Sequence, residues 1–196
     1  MNATRQLTTA VSMTVVTTLL LGIASPLAIT AIAQVVCPRQ ANGQLIQRDG
    51  ITIGSRIIGQ GFSKAGDFRS RPSATATPYD AANSAGSQLG PTNKKLIDAV
   101  TANVAAARLE NPGAAVPVDL VTTSASGFDP LISPASAAFQ VPRVARERGM
   151  TEGDVRRLVD GLTEGRQLGF LGEPRVNVLE LNLALDAEHP MAAGDR

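Results

Sequence analysis

Apolar residues are spread unevenly along the chain. No charged residue occurs between Arg5 and Arg39, and Leu7 to Val36 is dominated by Leu, Ile, Val, Ala and Thr. A helix rises about 1.5 Å per residue and crosses a bilayer core with roughly 20 apolar residues. The run therefore predicts one membrane-spanning helix over residues 9–35, behind a short tail at 1–8. Residues 36–50 turn polar and carry glycine, which marks a linker. The alternation in 51–62 predicts a strand, one arm of a hairpin. Residues 63–90 show no period and are too long for a passive connection, so they are either ordered by contacts or mobile. Pro91 stands at a first helical position. Leu96, Val100 and Val104 follow at four-residue spacing with Ile97 beside them, predicting a helix to about Leu109. A second strand is predicted from Val116. Ser133-Pro134 opens a helix that Pro142 should kink or break. Thr151 with Asp154 resembles a capping box ahead of the stripe Val155, Leu158, Val159 and Leu162. Val176, Val178, Leu181, Leu183 and Leu185 alternate with Asn177, Glu180 and Asn182, predicting a long half-buried strand. The fold class is a single N-terminal transmembrane helix followed by one α/β (or α+β) soluble domain with a mixed sheet, residues 51–186, and a flexible tail at 187–196.

The apolar run has two other readings. A secretory signal also begins with a positive residue and an apolar stretch, and Ala31-Ile32-Ala33 resembles a cleavage site, but the apolar core far exceeds the roughly 7–15 residues of a signal. A helix buried in a soluble core rarely runs this long without a charge. Pro26 is tolerated in a membrane helix, and Gly22, Ala24, Ser25 and Ala28 provide a face suited to packing on other helices. Arg5 and the terminal amine balance Arg39 and Arg48, so charge sets no orientation, and a long domain can lie outside regardless.

Composition narrows the chemistry. The chain has 196 residues, a net charge of +1, 3% aromatic residues and no Trp, which argues against nucleic acid as a partner. Cys37 is the only cysteine and His189 the only histidine, so no internal disulfide, cysteine-built zinc site or hydrolytic triad is expected. Asp186 and Glu188 read as solvated carboxylates of the tail, and no metal site is expected. No P-loop occurs, and "GQGFSKAG" lacks the spacing of a dinucleotide fingerprint. The remaining candidate is "YDAANSAGSQLGPTN", Tyr79 to Asn93. Gly86 and Gly90 leave backbone N–H groups accessible, Ser84, Ser87 and Asn93 add polar side chains, and a helix start with Lys94 and Lys95 adds positive charge. The plainer reading, which is preferred, is a loop whose Asn and Ser side chains satisfy its own turns. Arg69, Arg71, Arg143, Arg146 and Arg148 read as a solvated face or as partners of acids such as Asp67 and Glu147.

Five stretches follow one another behind the membrane run: "GDFRSRPSA", "YDAANSAGSQLGPTN", "PVDLVTTSASGFDPLISP", "QVPRVARERGM" and "LGEPRVNVLELNLALD". Together they resemble the KdpC family, the small C subunit of bacterial high-affinity potassium-pumping P-type ATPases, over nearly the whole chain to Asp186. The resemblance implies a single-pass protein of the cytoplasmic (inner) membrane. Its implied partners are a potassium-binding channel-like subunit, an ATP-hydrolysing P-type subunit and a small one-helix subunit. It implies no hydrolysis and no cofactor of its own, with ATP entering only through the complex. Such subunits are described as catalytic chaperones that raise the ATP affinity of the hydrolysing subunit, and a glutamine proposed to contact nucleotide matches Gln140. The family's soluble domain is placed outside the membrane.

Those last two implications conflict, because a bilayer core about 30 Å thick separates an outside domain from cytoplasmic ATP. An effect on nucleotide affinity would then be a coupling through partner helices, typically about 1–3 kcal/mol. The loop carrying Ser84, Gly86, Ser87, Gly90 and Asn93 is then an interface or folding loop. Ala85 and Gln88 stand where the family often has Gly and Asn. Leu131 and Leu162 stand where it often has His. The alternatives are a cytoplasmic nucleotide-binding regulatory subunit and a secreted binding protein released by cleavage after Ala33.

Overall fold

The computed structural model describes residues 2–190, in two units that divide between Leu45 and Ile46. The first is built on one continuous helix, Ala3–Val36, long and apolar enough to cross a membrane, with none of its apolar window buried. It begins close to the start of the chain, where a tail was expected. α1 (Ala3–Thr17) passes through a wider π-type segment, Thr18–Ala24, into α2 (Ser25–Val36). The widened segment lies just ahead of Pro26, whose missing N–H leaves the Gly22 carbonyl without its usual helical donor. The hydroxyls of Thr8, Thr9, Thr14 and Thr17 each donate to the carbonyl four residues back, so these polar groups are satisfied inside the helix. A short α3 (Pro38–Ala41) follows Cys37.

The second unit opens within β1 (Leu45–Arg48), which pairs with β2 (Ile51–Ser55). Asp49 (φ 53°) and Gly50 (φ 77°) join them, and positive φ at both central residues is the turn that matches strand twist. The stretch expected as a linker thus carries a short helix and one hairpin arm. No helix or strand forms between Ser55 and Lys94 apart from an isolated bridge between Ser55 and Ile58. Contacts nevertheless order the segment, and Phe68 is fully buried in the core.

α4 (Lys94–Glu110) starts three residues after Pro91, with the Asn93 side chain accepting from Lys95 N as its cap. None of its residues is buried. It is held instead by polar anchors: Asn103 donates to Val121 O at 3.1 Å, and Asn111, just beyond its end, to Phe139 O at 2.9 Å. The strand expected from Val116 is a single 3-10 turn, Val118–Leu120. The Asp119 carboxylate of that turn accepts hydrogen bonds from Ser133 and Ser136 at the start of the next helix.

β3 (Leu131–Ile132) leads into α5 (Pro134–Arg148), capped by Ser133 as expected. The helix runs through Pro142 without a break, because residues on both sides of the proline, Ala137, Val141, Val144 and Ala145, sit in the core. Gly149 (φ 64°) closes it in the left-handed conformation that glycine adopts freely. α6 (Glu152–Gly161) starts at the expected capping residue, Thr151, whose hydroxyl accepts from Asp154 N. β4 (Thr163–Glu164) and β5 (Arg175–Asn177) follow, then α7 (Val178–Glu188). The sheet has the order β3-β5-β4, with Ile132 opposite Val176 and Val176 opposite Thr163. Both pairings are antiparallel, so this sheet is not mixed.

The long strand predicted over 176–185 is therefore a three-residue strand and a helix. Val178, Leu181 and Leu185 recur at three- and four-residue spacing and are all buried, a period that a helix face satisfies as well as alternation does. The Asn177 side chain accepts from Glu180 N and caps the helix. α7 reaches Glu188, inside the expected tail, whose residues 191–196 lie outside the described residues. One core gathers Phe68, Ile132 and Val176 with Val141 and Val144 of α5, Val155 and Val159 of α6, and Leu181 and Leu185 of α7.

Candidate functional site

Two side-chain amides grip the irregular segment that precedes α4. Gln140, on the buried face of α5, accepts from Arg69 N at 2.8 Å and donates to Arg69 O at 3.1 Å. Asn182, on α7, accepts from Phe68 N at 2.8 Å and donates to Phe68 O at 2.9 Å. Each amide thus pairs with the N–H and the C=O of one residue, as a neighbouring strand would. In this way a segment without its own regular structure satisfies its buried N–H and C=O groups.

Two arginines complete the grip. Arg143 donates to the carbonyls of Ala65 and Asp67, to Gln140 Oε1 at 2.8 Å and to Glu110 at 2.7 Å. Its side chain is 6% exposed. Burial pushes its pKa down, and the hydrogen bond and charge of Glu110 oppose that shift. Arg148 has a side chain with no exposed surface and bonds Gly66 O at 2.5 Å, Asp67 at 2.8 Å and Asp186 at 2.9 Å. The pairing of Arg148 with Asp67 and of Arg146 with Glu147 follows the expectation. The solvated face does not, since Arg143 and Arg148 are interior ties. Asp186, expected as a solvated tail carboxylate, is one of their partners.

Gln140 is 1% exposed. Its Oε1 accepts from Arg69 N and Arg143, and its Nε2 donates to Arg69 O and Ser136 O. An amide offers two acceptor lone pairs and two donor hydrogens, so all four are engaged within the domain. A nucleotide contact there would have to break part of the grip. A cleft of about 330 Å³ lies beside it, lined by Arg69, Arg71, Tyr79, Asn103, Glu110 and Gln140. Glu110 pairs with Arg69 at 3.3 Å and Asp129 with Arg71 at 3.4 Å, which largely neutralises that wall. Among the described residues, no group of three or more His, Cys, Asp or Glu side chains is placed to hold a metal ion.

Tyr79 lines that cleft and its hydroxyl donates to Arg71 O, but the rest of the loop to Asn93 is tied to a different part of the domain. Ala85 N and Ser84 Oγ both donate to Ser126 O at 3.1 Å. A Cβ on Gly86 would stand 2.8 Å from Ala125 O, so glycine is required by close backbone approach. Asn93 caps α4, and Gly90 O accepts from Asn93 N at 3.0 Å, closing the turn before the helix. Ser87 is half-buried in the same loop. The left-handed residues of this stretch are Tyr79 (φ 63°) and Gln88 (φ 51°), with Ala85 outside that region. None of these residues is a partner of Gln140, so the two sets of candidate residues serve separate local structures.

Asp119 was not singled out in the sequence, and Asn182 was named there only as a polar position of the predicted strand. Asp119 caps the start of α5: it accepts from Ser133 N at 2.8 Å, from Ser133 Oγ at 3.1 Å and from Ser136 Oγ. Burial raises its carboxyl, but these hydrogen bonds outweigh burial and hold it below the ordinary aspartate value. The Asn177-x-x-Glu180 spacing ahead of an apolar run was the signal that Asn182 lies on a helix.

The family profile described as "KdpC: K+-transporting ATPase, c chain" matches residues 7–187. The "Potassium-transporting ATPase KdpC subunit" of Koribacter versatilis is 60% identical over 187 residues, covering 95% of this chain and 97% of that protein. The protein of the same name from Rhodopseudomonas palustris is 59% identical, covering 87% of this chain and 92% of its own length. That of Caulobacter vibrioides is 54% identical, covering 91% of each.

Proposed function

The chain belongs to the family of the potassium-transporting ATPase C chain, and on that premise we propose that it is a non-hydrolysing subunit that assembles and stabilises the complex from the extracytoplasmic face. The observation that carries this reading is the full internal use of Gln140. The one side chain that family resemblance offered to nucleotide makes all its hydrogen bonds to Arg69, Ser136 and Arg143. The domain behind the helix Ala3–Val36 is then a rigid body whose contribution is contact. Its partners are a potassium-binding channel-like subunit, an ATP-hydrolysing P-type subunit and a small one-helix subunit. Its action as a catalytic chaperone is a change in ATP affinity transmitted through their helices, and reciprocity requires ATP to tighten its own binding to the complex by the same factor.

The test is topological. Leu109 is 85% exposed, so Leu109→Cys in a Cys37→Ser background places one reactive thiol on the domain surface. An impermeant thiol reagent is expected to label it in intact cells. Labelling only after permeabilisation would support a cytoplasmic nucleotide-binding subunit instead. A mature chain beginning at Gln34 by intact mass would support a secreted protein.

A further inference from the structure

The connection between β4 and β5, Gly165 to Pro174, projects a compact tip whose ten residues are all exposed. Three of them are large and apolar: Leu168 is 83% exposed, Phe170 68% and Leu171 48%. The tip has a defined backbone. Gln167 and Leu171 exchange N–H···O bonds at 2.9 Å, Gly169 N donates to Arg166 O at 3.1 Å, and Phe170 N to Gln167 O at 3.2 Å. Arg166 and Glu173 pair across its base at 2.6 Å. At its apex Leu168 has φ 53°, beside Gly169 at φ 82°. A leucine is disfavoured in that region, where glycine or asparagine is at ease. The chain thus holds an apolar side chain, in a backbone state that opposes it, at a point where nothing in the domain covers it.

We propose that this tip is a preformed plug that seats Leu168, Phe170 and Leu171 in an apolar socket on another protein subunit of the ATPase. The inference rests on the reading of the chain as an assembled subunit. Charge decides between that socket and the lipid surface. Surface-seeking segments combine apolar residues with lysine or arginine for anionic headgroups, and with Trp or Tyr at the headgroup level. Here the charged residues of the tip and of the strands bearing it are paired off, Arg166 with Glu173 and Arg175 with Glu164. The chain has no Trp, and its one Tyr lies elsewhere. The tip is therefore electrically neutral, apolar and fixed in shape. Such a surface favours a complementary protein pocket, because little conformational freedom remains to be lost on docking.

Leu168→Gly relieves the backbone while removing the apex, so the inference predicts opposite effects on fold and on assembly. The full-length variant should unfold thermally at the same temperature as the parent or higher. Its affinity for the other subunits, purified together in lipid nanodiscs and challenged by dilution, should fall by about tenfold or more. Phe170→Ser with Leu171→Ser should weaken assembly further with unfolding still unchanged. With p-benzoylphenylalanine in place of Phe170, illumination of the assembled complex should cross-link this chain to another subunit. Adducts formed only with lipid, only with a second copy of this chain, or not at all would overturn the inference. So would tip variants that assemble with parental affinity. Failure of the parent chain itself to assemble would instead remove the reading on which the inference rests.

Discussion

Gln140 is the residue on which a binding role and a folding role make different predictions. Replacing it by Ala removes the partners of Arg69 N, Arg69 O and an Arg143 N–H in one step. Each buried polar group left unpaired costs about 1–3 kcal/mol. Gln140→Ala is therefore expected to destabilise the domain by about 2–4 kcal/mol, read by denaturant unfolding. If the side chain acts only through the fold, any loss of ATP affinity in the complex should scale with that destabilisation across Ala, Glu and Asn variants. A variant of parental stability with impaired nucleotide response would contradict this. Asp119 gives a second residue-scale test, with a defined sign. Its folded pKa lies below the ordinary value, so the charged form is favoured in the native state. That stabilisation is complete above the unfolded value of about 4 and disappears as pH falls through the folded value. The stability gap between the parent and Asp119→Asn should be widest near neutrality and should narrow below about pH 4. Equilibrium unfolding across that range measures it.

At the scale of elements, α7 shows how a pattern can be read correctly and assigned to the wrong structure. Of the apolar positions named in the sequence, Val176, Val178, Leu181 and Leu185 are buried and Leu183 is half-buried, while Asn177 and Asn182, set against them as polar positions, are buried as well. Alternation and a helical stripe share most of those positions, so periodicity alone does not choose between them. What chooses is Asn177, whose side chain accepts from Glu180 N at 3.1 Å and donates to Arg56 O at 2.7 Å. Asn177→Ala should cost about 2 kcal/mol or more by loss of the cap and the tie. Asn177→Ser, which retains a cap acceptor, should lose clearly less, and helix content by circular dichroism should follow the same order. The caps at Ser133 and Thr151 were legible because serine and threonine stood directly before an apolar stripe. The hairpin turn at Asp49-Gly50 was equally legible by residue type, but its polar flanks read as linker. The order in residues 63–90 was not legible, because it depends on Gln140, Asn182, Arg143 and Arg148, far away in the chain. For the same reason the candidate site was legible only as a name: Gln140 could be singled out, but not the partners that define what it does.

At the scale of the whole molecule, the two units differ in what each needs from its surroundings. The side chains of the helix Ala3–Val36 include exposed Leu19, Leu20, Leu21, Leu27 and Ile29. Burying such side chains is worth about 1.5–3 kcal/mol each, so in water this surface is a strong drive toward lipid or another apolar partner. The core of the second unit, by contrast, runs from Phe68 to Leu185 and draws no residue from the first. Deleting residues 1–45 is therefore expected to leave a domain that unfolds cooperatively and within about 3 °C of the full chain in detergent, a shift that corresponds to about 1 kcal/mol at most for a domain of this size. The same deletion should move the protein from the membrane fraction to the soluble one. A truncated chain that folds yet no longer activates the ATPase when supplied in excess would assign the anchor a part in assembly beyond attachment. Restored activity would show that the folded domain carries the contacts and the helix only raises its local concentration. A truncated chain without cooperative unfolding would overturn the division into two independent units.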